Sequence, residues 1–226
     1  MAKNPSYPIV LIALAIGGGV AGLLIGRAIA PSAAPIPANE PTSDGTPPPP
    51  SDNPYARFSV ADFELTDQDG QPVTQQLFDG EVTVLTFFFA SCPDPCPAIQ
   101  RVMSDVQTRT QGTGVRLASV SVDGEHDTPE VIRNYGLGYD ASFDRWAFIT
   151  GDPADVSTLV RDSLSFNLTD REDQTVTRSD GTTRAQILHP TRLILVGPDR
   201  KVIGLYAYND PDAVDELVAA ARAAAG

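Results

Sequence analysis

Between Glu81 and Ala90 the chain reads EVTVLTFFFA, a run so nearly continuously apolar that neither face of the strand it forms can be left to water. Such a strand must lie inside a sheet that is covered on both sides. Directly after it come the only two cysteines of the chain, Cys92 and Cys96, in CPDPCP, braced by Pro93, Pro95 and Pro97. A buried strand ending in a stiff, cysteine-bearing corner sets the architecture that the remaining residues have to complete.

They complete it by alternating strand and helix. FSVADFEL and TDQDGQPV read as an extended segment and a turn, with Asp69-Gly70 as the turn signal. After the corner, Ile99, Val102, Met103 and Val106 recur on one face of a helix. VRLASVSVD is then a strand, TPEVIRNYG a short helix, WAFITGD a strand, and PADVSTLVRDSLSF a helix with Asp152 as its cap and Pro153 in its first turn. LILVGPDRKVIGLYAY makes two strands about a Gly-Pro-Asp turn, and PDAVDELVAAARAAA a closing helix. The fold class this predicts is α/β, a central mixed sheet flanked by helices. Residues 167–187, NLTDREDQTVTRSDGTTRAQI, are polar throughout and are expected to form a long functional or mobile loop that ends beside His189.

The N-terminal part is different in kind. Residues 8–26, PIVLIALAIGGGVAGLLIG, carry no charge, and at about 1.5 Å of helical rise each they match a hydrocarbon core of about 30 Å. Residues 1–30 are therefore expected to be a membrane anchor, with a transmembrane helix over 8–26. Ala28-Ile29-Ala30 resembles a signal-peptide cleavage site, but Pro31 directly behind it obstructs cutting, so the anchor is expected to stay attached. Lys3 before the span and Arg27 after it lean only slightly toward a cytoplasmic N-terminus. Gly18, Gly22 and Gly26 share one helix face, on which two anchors can pair into a dimer. Residues 31–54 are a proline-rich linker able to reach roughly 70 Å in extended form, and residues 55–226 form the folded domain. A net charge of −13 excludes nucleic acid as a partner, because phosphate is bound through Lys and Arg.

The corner carries the chemistry. Residues before proline avoid the helical region, so Cys92, Asp94 and Cys96 are expected to be extended, with Pro97 as the first helical residue. Cys96 then stands at a helix entrance, where unpaired N–H groups and the helix dipole favour thiolate. Two thiols at this spacing can close a disulfide, exchange with a partner's disulfide, or grip one soft metal ion. A purely structural disulfide across so few residues constrains the unfolded chain little. Zinc fits poorly, since a structural site takes four ligands and the chain has two cysteines and two unpaired histidines. Two thiolates and one imidazole suit Cu(I), and His189, between the polar stretch and the next strand, is the candidate third ligand.

Three segments together resemble one family. SCPDPCP, SVDGEHDTPE and HPTRLILVGPDRKVIG follow in order with compatible spacing, and over residues 57–222 the chain is similar to the Sco/SenC family. The resemblance implies a thioredoxin-like fold and a membrane-anchored copper chaperone for cytochrome c oxidase assembly. It implies that Cys92, Cys96 and His189 bind copper, as Cu(I) and in a further state as Cu(II), and that the domain faces the periplasm from the bacterial inner membrane. The receiving partner would be the copper-binding subunit of the oxidase, at its binuclear copper centre, with a periplasmic copper donor or thiol reductant acting upstream. Pro190 departs from the small polar or aliphatic residue usual after the histidine, and the His189–Pro190 bond is expected to be cis. Gly124 and His126 also depart from the family pattern. His126 is read as an exposed neighbour, Asp127 and Glu130 as a helix-capping pattern, and Asp123 either as a plain strand-end aspartate or as a group that supports the metal site from behind its ligands.

The competing function is a thiol-disulfide oxidoreductase, in which Cys92 and Cys96 are the redox thiols and no histidine is needed. The two activities can also be consecutive, because an oxidised pair cannot bind Cu(I) through thiolates. A peroxidase is a weaker reading, because Phe89 stands where a Thr or Ser is wanted before the attacking cysteine. A copper or redox sensor acting through a partner has no second domain to speak for it.

Overall fold

A computed structural model describes residues 53–178 and 181–226, so the expected anchor and nearly all of the linker lie outside the described residues. Among the described residues no helix is long and apolar enough to cross a membrane. The strands are β1 (Glu64–Asp67), β2 (Pro72–Thr74), β3 (Val82–Phe88), β4 (Val115–Ser121), β5 (Trp146–Thr150), β6 (Thr169–Thr177), β7 (Thr183–Leu188), β8 (Arg192–Val196) and β9 (Val202–Ala207). The α-helices are α1 (Cys96–Arg109), α2 (Pro129–Leu137), α3 (Pro153–Leu164) and α4 (Pro211–Ala224).

Seven strands form one mixed sheet in the order β2-β1-β5-β4-β3-β8-β9. β3, β4 and β5 run parallel, linked by α1 and α2, while β8 pairs antiparallel with β3 and with β9. This is a thioredoxin-like arrangement with added strands at one side. Every residue of β3 is buried, as its unbroken apolar run requires, and it stands near the middle of the sheet with β4 and β8 as neighbours.

Each helix starts where its sequence marks a start. Thr128 Oγ1 accepts from Val131 N to cap α2, Asp152 from Ala154 N to cap α3, and Asp210 from Asp212 N to cap α4, each with proline in the first turn. α1 begins one residue earlier than expected, at Cys96 itself, with Pro95 as N-cap and no side-chain cap. It is anchored instead by packing: Ile99, Met103 and Val106 are fully buried, and Gln100 accepts from Ser119 Oγ at 3.1 Å while Ser119 accepts from Trp146 Nε1 at 3.0 Å. That buried chain of hydrogen bonds ties α1 to β4 and β5, one turn below Cys96.

Two expectations are corrected here. The segment 167–187 is mostly a β-hairpin, β6 paired with β7 as a separate two-stranded sheet, closed where Gly181 N–H donates to the Arg178 carbonyl at 3.0 Å and flanked by the strand-forming residues of Thr-Val-Thr and Thr-Thr-Arg. The cap of α2 is Thr128, and Asp127 turns inward instead.

Candidate metal centre

The site is built where β3 yields to α1. Cys92 N–H donates to the Phe89 carbonyl at 3.1 Å, closing a tight turn off the strand. The turn is braced by Asp127, whose Oδ2 accepts from Ala90 N at 2.9 Å and from Ser121 Oγ at 2.5 Å. A buried carboxylate from the β4–α2 loop therefore holds the main chain two residues before Cys92. Burial, partly offset by these donors, pushes Asp127 up to about 6.

His189 arrives from the other side, at the step from β7 to β8. Its Nδ1 lies 3.0 Å from the carbonyl oxygen of Pro190, an atom that can only accept, so Nδ1 carries the proton and Nε2 presents its lone pair. Nε2 lies 3.5 Å from Cys96 Sγ. The ring is held edge to face against Phe89, with centroids 5.9 Å apart. Pro190 thus serves the site through its carbonyl. The bond before it is not cis: the cis peptide among the described residues is Asp94–Pro95. X-Pro bonds prefer trans, and the extended passage from β7 into β8 asks for no reversal.

Cys92, Cys96 and His189 bring their ligand atoms within 4.8 Å of one another, and they are the one such group of potential metal ligands among the described residues. Three donors at about 2.0–2.3 Å from one ion, spread roughly 120° apart, stand about 3.5–4.0 Å from one another, so closing on one ion takes a movement of up to about 1 Å. Two soft sulfurs and one imidazole nitrogen match a Cu(I) site in type as well as spacing. Both cysteines are free thiols. The electrostatics of the pair are unequal. The hydrogen bond from Cys96 holds Cys92 down to about 5 against the opposing effect of burial. Cys96, which would ionise beside an existing thiolate and away from water, is pushed well above the usual thiol range.

All three ligands are nearly or fully buried, Cys96 completely. A groove of about 390 Å³ lies beside His189, lined by Pro93, Asp94 and Pro95 of the corner and by Gln186, Leu188 and His189 of the hairpin side. Gln186 Nε2 donates across it to the Asp94 carbonyl at 3.3 Å.

The other residues singled out in the sequence fall outside this cluster. Asp123 is 2% exposed and has Arg178, Arg184 and His126 as side-chain partners, none of them a ligand. His126 is half-buried, with Nδ1 3.3 Å from Asp123 Oδ1. Glu130 lies in the first turn of α2. Phe89, Asp127 and the carbonyl of Pro190 were not recognised as site groups from the sequence. Asp127 carried a usable signal, since a second acidic residue four positions after Asp123 is more than the Thr128 cap requires.

Fold and site together define a class: thioredoxin-like domains in which a thiol pair at a strand-to-helix turn is joined by a histidine from a distant strand. The SCO1/SenC family model matches residues 52–225, and the chain belongs to that family. The SCO1 protein homolog of Bacillus subtilis is 29% identical over 170 residues, 74% of this chain and 83% of the relative. Among solved structures, BsSco, described as a member of the Sco family of cytochrome c oxidase assembly proteins with a disulfide switch, matches with a TM-score of 0.61 and 29% identity over 74% of this chain and 94% of its own. ScoI of Bradyrhizobium japonicum, solved with copper bound, matches with a TM-score of 0.57 and 25% identity over 70% of this chain and 97% of its own.

Proposed function

We propose that this protein is a copper-binding metallochaperone in which Cys92 and Cys96 supply two thiolates and His189 Nε2 the third ligand to Cu(I). The observation that carries this reading is the convergence of those donor atoms within 4.8 Å, and the copper-bound relative supports it. The chain's own groups prepare the site before the ion arrives. Cys92 is already biased toward thiolate, Cys96 gives up its proton on binding, and the Pro190 carbonyl keeps the imidazole in the tautomer that faces the sulfurs. Three ligands leave room for an incoming donor from a recipient, which approaches along the groove beside His189. The recipient we assign is the binuclear copper centre of cytochrome c oxidase, with residues 8–26 anchoring the chain in the inner membrane, residues 31–54 as tether and the domain in the periplasm; copper can also be held as Cu(II). That BsSco belongs to a family of oxidase assembly proteins supports this assignment.

The second reading, a thiol-disulfide oxidoreductase, is favoured by the depressed Cys92. Its thiolate would attack a partner's disulfide and Cys96 would resolve the mixed disulfide, leaving Cys92–Cys96 oxidised and the partner reduced. Burial of both sulfurs makes this the lesser role, since attack needs access. Anaerobic Cu(I) titration of the reduced domain separates the two. One ion per chain is expected, held about 10- to 100-fold more weakly in His189→Ala and lost when both cysteines are serine. A domain that holds no copper yet reduces disulfides efficiently would overturn the chaperone reading.

A further inference from the structure

β6 and β7 are hydrogen-bonded to each other and not to the seven-stranded sheet, so side chains must hold this hairpin to the body. Val176 and Ile187 are its buried apolar contacts. The polar contact is concentrated on one carboxylate. Asp123, just past the end of β4, lies 2.7 Å from Nη1 of Arg184 on β7 and 3.3 Å from Nη2 of Arg178, just past the end of β6. Arg184 also donates through Nη2 to Asp170 of β6 at 2.7 Å and through Nε to the Ala185 carbonyl at 2.7 Å. One buried group of the body thus grips both strands.

Asp123 is itself firmly placed. Its N–H donates to Ser121 Oγ at 3.1 Å, and its carbonyl accepts from the N–H groups of His126 and Asp127, each at 2.9 Å. From Arg184, β7 runs without a turn through Leu188 to His189; at about 3.3 Å per residue the strand reaches from clamp to imidazole over roughly 16 Å. Beyond His189 the chain is fixed by the pairing of β8 with β3. The histidine is therefore suspended between the main sheet on one side and, on the other, a strand held by the Asp123 clamp, by buried Ile187 and by the Gln186–Asp94 hydrogen bond.

We propose that Asp123 is a positioning residue for the metal centre: by gripping Arg178 and Arg184 it sets the hairpin against the cysteine corner and so delivers His189 Nε2 to the two sulfurs. The inference rests on the copper-site reading above. Without the clamp the thiol pair stays in place, because it is braced by Asp127, while the hairpin side of the imidazole is left to buried Ile187 and the Gln186–Asp94 hydrogen bond. Loss of the carboxylate removes the histidine's share of copper binding and leaves the thiolates' share.

The test compares Asp123→Asn and Arg184→Gln with the wild type and with His189→Ala in anaerobic Cu(I) competition titrations of the reduced domain. Each clamp variant is expected to weaken Cu(I) binding by about tenfold or more, with Arg184→Lys recovering part of the loss. Combined with His189→Ala, each is expected to add almost nothing, because the imidazole is already gone. A general loosening of the fold would instead weaken binding equally with and without the histidine, and that outcome overturns the proposal. The copper-free domain gives a second readout. Deuterium exchange at the imidazole Cε1–H, followed by mass spectrometry, should speed up at His189 in both clamp variants; an unchanged rate in a variant whose circular dichroism matches wild type also overturns it. Arg184→Gln, at the partly exposed rim of the clamp, serves if Asp123→Asn does not fold. Should the wild type fail to bind copper, the chaperone reading falls, while the exchange measurement still decides whether Asp123 places His189.

Discussion

A side chain that stands behind the centre rather than in it governs a measurable pH response. Asp127 is buried and its pKa is raised from 3.8 to about 6. A carboxyl raised on folding binds its proton more tightly in the native state, so its stabilising contribution is complete below about pH 4 and is lost as pH rises through about 6. Asn at this position can accept from Ala90 N and Ser121 Oγ through the same oxygen site but cannot ionise. Relative to wild type, Asp127→Asn should therefore gain up to about 3 kcal/mol in unfolding free energy between pH 4 and pH 7, measured by urea denaturation at each pH. A difference that stays constant across that range would show that Asp127 does not titrate as its burial requires. At this scale the three side chains that converge were legible in the sequence, because sulfur and imidazole announce their chemistry by type. Their supports were not. Asp127 reads as a capping residue until the Ala90 N–H is seen 37 positions away, and Pro190 acts through a backbone carbonyl that no side-chain pattern can reveal.

The elements fall into those that periodicity shows and one that it hides. β3, α1, β4, α2, β5, α3, β8, β9 and α4 all carry apolar faces or caps, and their apolar spacing is legible in the sequence. The β6–β7 hairpin has little such spacing, since most of β6 is exposed and Val176 is its buried residue; the hairpin is held by ion pairs to Asp123 that span 55 and 61 positions. Polarity that reads as a loop is here the polarity of a strand pair clamped by charge. Gly124 is a departure from the family pattern that the packing of elements explains. A Cβ there would run into the backbone carbonyl of Gly151, on the loop between β5 and α3. Backbone cannot swing aside as a side chain can, so Gly124→Ala must push two loops apart and should cost about 1–3 kcal/mol or more in stability, seen as a lowered denaturation midpoint. A variant as stable as wild type would mean that these loops are not in contact.

At the scale of the whole molecule, the sheet of the domain carries the Cys92–Cys96–His189 cluster beside a groove, and the anchor and linker we propose precede it in sequence. The net charge of −13 serves solubility, and the groove beside His189 mixes exposed Leu188 with the polar side chains of Asp94, Arg171, Gln174 and Gln186. The fold places the sulfurs and the imidazole on separate segments, joined through β8 and β3, so that the site exists only when the sheet is assembled. Copper binding should accordingly stabilise the native state and raise the unfolding midpoint in proportion to how far copper exceeds its dissociation constant. The most direct test of the whole account is X-ray absorption at the copper edge of the reduced domain carrying one equivalent of Cu(I). The account predicts two sulfur scatterers and one imidazole nitrogen, with the nitrogen contribution vanishing in His189→Ala. A spectrum of sulfur ligands alone, identical in the two proteins, would contradict it.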